Sequence, residues 1–186
     1  MKVVPITDEL LPKLEVFCKE AEKLGYTNNA TLCDWGMRYE WCKAQGEYFC
    51  VIADDKIISV AGCHRLPEVS DKAWRVMFRG AQLPGYNKEF GLSKYHMSAI
   101  TWREILPFQI EFCDTDELYI TTNIEHDASG KMNRTHRLFR YLAKVGMVEH
   151  YKDIELWYTE QSVWKLNIDE YTHRRAMLTG DKQNVV

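Results

Sequence analysis

Lys88, Gly91 and Ser93 mark the stretch of this sequence best suited to chemistry. They stand in the polar loop PGYNKEFGLS, with Gly85 and Asn87 beside them, between a β-type run at 73–79 and an amphipathic helix predicted over 93–106. The first N–H groups of a helix lack intrahelical partners and lie at the positive end of its dipole, so a phosphate docks there at little further cost. Gly91 lets the backbone approach an anion closely, and Lys88 adds a point charge. Elsewhere, His64 and Glu68 form a titratable pair at the end of a predicted strand. Arg134, Arg137, Arg140 and Lys144 fall within about a third of a helical circumference, with no acidic residue between Lys131 and Val145. This row reads as a solvated basic face or as a contact for phosphates.

The elements that must position these residues follow from periodicity. Residues 1–6 read as an opening strand, with Thr7 or Asp8 capping a helix whose apolar positions Leu10, Leu14, Phe17, Ala21 and Leu24 share one face. Gly25 ends it, and Asp34 is read as the cap of a second helix running to Gly46. Two β-rich runs, 47–53 and 56–62, are joined by Asp54-Asp55 as a tight turn, and 73–79 completes an antiparallel meander. Pro107 is expected to kink or end the helix after the loop. A strand at 117–122, a helix at 131–145 and a hairpin of 154–158 with 162–167 close the pattern, leaving a polar tail without an assigned function.

At 186 residues the chain is long enough to bury a sizeable core. A net charge of −3 gives the whole chain no electrostatic case for nucleic acid or an acidic membrane. Six cysteines without a Cys-x-x-Cys pair, several at apolar positions, read as reduced, buried thiols, and no zinc site is expected. His96, His126, His136, His150 and His173 show no ligand spacing. The opening MKVVPIT lacks a secretory apolar core and no run approaches a membrane span, so a cytoplasmic location and no membrane partner are expected.

The element order β, α, α, β, β, β, loop, α, β, α, β, β resembles the GNAT superfamily of N-acyltransferases over nearly the whole chain. The loop carries the family's spacing: Lys88, two residues, Gly91, one residue, Ser93, where the family has Arg or Gln, then Gly, then Gly or Ala. The segment RYLAKVGM, from Arg140 to Met147, is similar to the family's ending of Tyr, two residues, a hydrophobe, Gly and Phe, with Tyr141 one place early. The resemblance implies an α/β (α+β) fold with a mixed, mostly antiparallel central sheet flanked by helices, in one domain over 1–167 with a C-terminal tail at 168–186.

It also implies an acetyl-CoA-dependent N-acyltransferase without a metal. The CoA pyrophosphate would lie on Lys88, Gly91, Leu92 and Ser93, and backbone N–H groups at Ala81, Gln82 and Leu83 would polarise the thioester carbonyl. Tyr141 would protonate the departing thiolate, or else it is a packing residue. His64 and Glu68 are the pair available to take the ammonium proton, with a structural histidine as the alternative for His64. The expected partner is a small-molecule or macromolecular amine, with a homodimer and a nucleic acid held through Arg134, Arg137, Arg140 and Lys144 also open. The last helix and hairpin resemble a winged-helix ending, which makes a nucleic-acid-binding module the runner-up. The loop is similar in flavour to that of divergent phage GNAT-like proteins that modify DNA bases, and a non-catalytic GNAT-like fold is the remaining alternative.

Overall fold

The computed structural model describes residues 1–23, 32–83, 100–124 and 132–179, with side chains left out at 32–38, 134, 178 and 179. The chain forms two compact units, Met1–Asp114 and Thr115–Val186. In the first, β1 (Lys2–Pro5) leads through a 3-10 turn (Asp8–Leu10) into α1 (Leu11–Lys23), and α2 (Leu32–Gln45) leads into β2 (Gly46–Ala53), β3 (Lys56–Arg65) and β4 (Trp74–Gln82). A π-helical turn (Thr101–Ile105) runs into α3 (Leu106–Cys113). The second unit holds β5 (Leu118–Asn123), α4 (Arg134–Lys144), β6 (Val148–Leu156), β7 (Thr159–Leu166) and α5 (Ile168–Thr179). The fold is α/β with antiparallel pairing of β1 to β2, β2 to β3 and β3 to β4 in the first unit, and of β7 to both β5 and β6 in the second.

In the first unit α1 and α2 cover one face of the sheet. Leu14, Phe17, Cys18 and Ala21 of α1 and Tyr39 and Cys42 of α2 pack on Tyr48, Cys50, Val60 and Phe78. The other face receives α3, where Phe108 and Phe112 meet Phe49, and Phe112 also meets Trp74. Cys18, Cys42, Cys50, Cys63 and Cys113 are free thiols buried in these layers. Burial pushes Cys18, Cys42 and Cys50 up to about 12, which keeps them protonated.

Several boundaries differ from the sequence expectations for identifiable reasons. Helix α2 begins at Leu32, so Asp34 lies inside it and does not cap it. Pro107 neither ends nor breaks its helix. It falls in the first turn of α3, and the Leu106 N–H reaches Thr101 O in the wider π spacing just before it, so the missing proline N–H lies where a fresh helical start tolerates it. The closing hairpin turns at Trp157-Tyr158, both in the left-handed region, with Thr159 Oγ1 donating to Leu156 O at 2.9 Å. Two aromatics without Gly or Asn carry no turn signal and read as strand. Residues 168–179 form a helix where a polar tail was expected: Asn167 Oδ1 accepts the Glu170 N–H, and Arg174 donates to Glu170 and to Val145 O. Because β7 pairs on both edges, the hairpin is part of a sheet and not a free wing.

Asp54 and Asp55 make the expected turn, with φ of 49° and 64°. Positive φ at both central residues is what a two-residue hairpin with right-twisted strands requires. Gly46, at the junction of α2 and β2, is required for another reason: a Cβ there would stand 2.0 Å from Cys63 O, a backbone atom that cannot swing aside. Gly46→Ala is therefore expected to destabilise the chain by roughly 2–3 kcal/mol or more, read as a lower urea midpoint with unchanged slope. An unaltered midpoint would show that the helix–strand junction is looser than described.

Candidate functional site

Strand β4 departs from regularity twice. Opposite it, β3 advances from Val60 to Arg65, five steps, while the partners run from Ala81 back to Trp74, seven steps. Two residues of β4 are therefore extra, and the register breaks between Val60 and Gly62 and again between Gly62 and His64. Met77 and Arg79 supply the bulges, with φ of 57° and 51°. Left-handed backbone costs a side-chain-bearing residue about 1–2 kcal/mol, so such a strand persists only where its surroundings enforce it.

Two buried side chains do so, one from each face. Gln109 of α3, fully buried, accepts the Met77 N–H at 3.0 Å and donates to Ala61 O at 3.2 Å. From the α1 and α2 side, the Tyr48 hydroxyl donates to Arg79 O at 3.4 Å. Beyond the bulges, Ser59 Oγ donates to Ala81 O at 3.1 Å, and the Leu83 N–H donates to Ile58 O at 2.8 Å. Alternation along an antiparallel strand then turns the Gln82 N–H away from β3. Of the expected trio Ala81, Gln82 and Leu83, the Leu83 N–H is thus committed to β3. The Gln82 side chain accepts the Ile100 N–H at 2.9 Å, which ties the end of β4 to the residue that precedes the π turn. Lys88, Gly91, Leu92 and Ser93, expected to cradle a pyrophosphate, lie outside the described residues.

His64 and Glu68 have different surroundings. His64 is 1% exposed, with ring centroids 4.6 Å from Trp41 and 4.8 Å from Phe78, and Nδ1 donates to Arg65 O at 2.6 Å. Arg75, its partner across the ladder, holds its guanidinium 5.0 Å from the Phe78 ring. Burial and the Arg75 charge together push His64 down from 6.5 to about 4, so the ring is neutral at neutral pH. Glu68 is exposed in the turn that follows β3. Trp41 and Arg75, which complete this cluster, carried no signal in the sequence beyond the apolar spacing of α2 and the strand run.

In the second unit, Tyr141 is 54% exposed on α4, while Phe139 and Leu142 of the same helix are buried. His136 approaches Thr122 Oγ1 at 3.1 Å, the same oxygen accepts the Trp164 indole N–H at 2.8 Å, and the Phe139 ring lies tilted against Trp164 with centroids 5.8 Å apart. Asp153 accepts from both Ser162 and His150, and these bonds hold its carboxyl below the usual range. Arg137, Arg140 and Lys144 are exposed, and none of them joins an ion pair among the described residues. The Arg134 side chain lies outside the description. No described helix is long and apolar enough to cross a membrane.

This architecture is the GNAT acetyltransferase fold. The chain is similar to the aminoglycoside 6′-N-acetyltransferase of Enterococcus faecium, with a TM-score of 0.56 at 9% identity over 88% of this chain and 95% of that one. It is also similar to a spermidine N-acetyltransferase chimera from Vibrio cholerae and hSSAT, with a TM-score of 0.55 at 9% identity over 94% and 100% of the two chains. A third likeness is to the ribosomal-protein-S18-alanine N-acetyltransferase of Escherichia coli, with a TM-score of 0.53 at 10% identity over 88% and 90%. Neither a protein-family model nor a curated protein sequence matches the chain. At these identities the likeness concerns the fold alone.

The His64 cluster has a consequence for stability. An unfolded histidine binds a proton near 6.5 and the folded one near 4, so between those values the unfolded chain holds more protons and acid favours unfolding. Stability from this group is full above pH 6.5 and falls as the pH drops toward 4, by about 3 kcal/mol in total. His64→Phe, which keeps the ring among Trp41 and Phe78, should flatten the decline of the urea midpoint between pH 7.5 and 4.5. Equal declines in the variant and the parent chain would remove His64 from the account.

Proposed function

We propose that the chain is an N-acyltransferase that moves an acetyl group from acetyl-CoA to a primary amine by direct attack. The observation that carries this reading is the doubly bulged β4, braced from both faces, in a fold shared with N-acetyltransferases. Acetyl-CoA supplies an activated thioester carbonyl. The Gln82 N–H, which turns away from β3, donates to that carbonyl oxygen as negative charge grows on it, an interaction worth about 3 kcal/mol for a well-placed donor. Ala81 and Leu83 hold this donor in place through their bonds to Ser59 and Ile58.

The remaining roles rest on residue chemistry. Lys88, Gly91, Leu92 and Ser93 hold the pyrophosphate, with Gly91 allowing close backbone approach. Tyr141 gives its proton to the departing thiolate. Glu68, exposed to solvent, takes the ammonium proton that must leave before the amine attacks. His64, buried and neutral, contributes by packing. The neighbouring enzymes act, by their names, on an aminoglycoside, on spermidine and on the alanine of a ribosomal protein. An amine of one of these kinds is the acceptor expected here.

Calorimetric titration with acetyl-CoA, followed by thiol release in the presence of a polyamine, an aminoglycoside and an alanine-terminated peptide, tests the reading. Saturable binding and amine-dependent thiol are expected. Neither binding nor release would favour a non-catalytic GNAT-like protein. Gly91→Val should weaken acetyl-CoA by roughly 100-fold or more, the loss of about 3 kcal/mol, and undiminished affinity would displace the pyrophosphate from the 88–93 loop.

A second reading, nucleic-acid binding, is favoured by one observation: the exposed cations of α4 that no carboxylate among the described residues neutralises. The chain carries −3 overall, so subtracting the four cations of α4, Arg134, Arg137, Arg140 and Lys144, leaves −7 on the rest. Positive charge is thus concentrated on one helix. If three of these side chains meet phosphates, the affinity for a DNA duplex falls with salt at a log–log slope of roughly −3. Fluorescence anisotropy should show that slope flatten in an Arg137→Glu, Arg140→Glu double variant, whereas salt-independent or absent binding would eliminate the reading. The two readings meet if the accepting amine is carried on a nucleic-acid base.

A further inference from the structure

We propose that Gln109 is a positioning residue for acyl transfer, setting the β4 register that delivers the Gln82 N–H to the thioester. The inference rests on the acyltransferase reading above. Gln109 sits on the face of the first unit opposite α1 and α2, and its side chain is fully buried. Its amide is inserted where the β3–β4 ladder opens: the oxygen takes the Met77 N–H of β4, and the nitrogen reaches Ala61 O of β3. The head thus stands in for one missing rung, joining two backbone groups that no longer face each other.

The consequence is a phase shift. Extending the pairing of Arg65 with Trp74 without bulges would place residue 79 opposite Val60, whereas Ala81 stands there. The end of β4 is therefore offset by two residues, roughly 7 Å along the strand. Removing one bulge would slide that end by one residue, which exchanges the faces of every following side chain and turns the Gln82 N–H back toward β3. The Met77 N–H would gain a ladder partner by such a slip. Gln109 removes that incentive by satisfying the group where it is. Only a head with one acceptor and one donor serves both backbone atoms. A leucine serves neither, and an ionised glutamate would set a carboxylate against Ala61 O.

Gln109 touches no reacting atom on this reading, so its effect should be confined to the chemical step. The full-length parent chain, Gln109→Leu and Gln109→Glu are compared for kcat and KM with acetyl-CoA and the best amine, for urea midpoint, and for hydrogen exchange at the Met77 amide. Folded Gln109→Leu should lose kcat by roughly 10–100-fold, the scale of a displaced carbonyl donor, with the KM for acetyl-CoA changed less than about threefold and faster exchange at Met77. Gln109→Glu reproduces both hydrogen bonds only when its carboxyl is protonated, so its kcat relative to that of the parent chain should recover as the pH is lowered. If Gln109→Leu does not fold, this pH profile decides the matter. A folded Gln109→Leu with parental kcat, or a Gln109→Glu profile parallel to the parent's, overturns the positioning role while leaving the acyltransferase reading intact. A parent chain that binds no acetyl-CoA and releases no thiol overturns both.

Discussion

The first unit is built around a backbone N–H that must not be left without a partner. An unpaired buried amide costs about 1–3 kcal/mol, and a bulge creates one by definition, because the extra residue falls out of the ladder. At Met77 the partner is the Gln109 carboxamide, and at Arg79 the carbonyl receives the Tyr48 hydroxyl. Once these bonds exist, much else is constrained. Helix α3 must hold residue 109 against the sheet, which Phe108 and Phe112 do by packing on Phe49 and Trp74. Tyr48 must lie on the opposite face, inside the layer formed by α1 and α2. The strand is irregular because its neighbours on both sides make irregularity the lower free energy.

The same layering accounts for His64. Its position near the end of β3, beside the second bulge, puts the ring between Trp41 and Phe78. A charged imidazole there would lose hydration and face the Arg75 guanidinium, so the neutral form is the one that packs. The bond from Nδ1 to Arg65 O fixes the proton on that nitrogen and the plane of the ring. A histidine so placed serves the aromatic core more than it serves proton transfer, and the two roles are exclusive: the burial that stabilises the packing removes the solvent access a base needs.

What was legible in the sequence follows the range of the interactions involved. The order of the described elements as far as β7, the Asp54-Asp55 turn and the burial of Leu14, Phe17 and Ala21 on α1 are local patterns, and they read correctly. The bulges of β4 did not, because WRVMFRGAQ alternates well enough to pass for a regular strand and nothing in it announces left-handed Met77 and Arg79. Gln109 lies 32 residues from Met77 and 48 from Ala61, so its role exists only once α3 is docked. In the sequence it is one polar residue among the apolar ones of LPFQIEFC. His64 illustrates the converse: its residue type suggested chemistry, while its neighbours Trp41 and Arg75 come from another helix and another strand. Trp157-Tyr158 and the helix at 168–179 were missed because tertiary and capping bonds override weak local preference.

Helix α4 shows how one element separates two requirements. Its inward face is specified by shape and hydrogen bonding together: Phe139 lies against Trp164, and His136 meets the Thr122 hydroxyl that also receives the Trp164 indole. A chain of bonded polar groups under a packed ring tolerates little rotation of the helix, since turning it by one residue, about 100°, would strip the buried hydroxyl of its imidazole neighbour. That fixed inward face determines which residues point outward, namely Arg137, Arg140, Tyr141 and Lys144. Their exposure follows from packing. Their composition does not, because solvent would accept carboxylates equally well and the stretch contains none. The absence of acidic residues from a face whose orientation is set by the core is therefore a property of the sequence that folding does not demand, and it is there that a requirement for an anionic partner would be written.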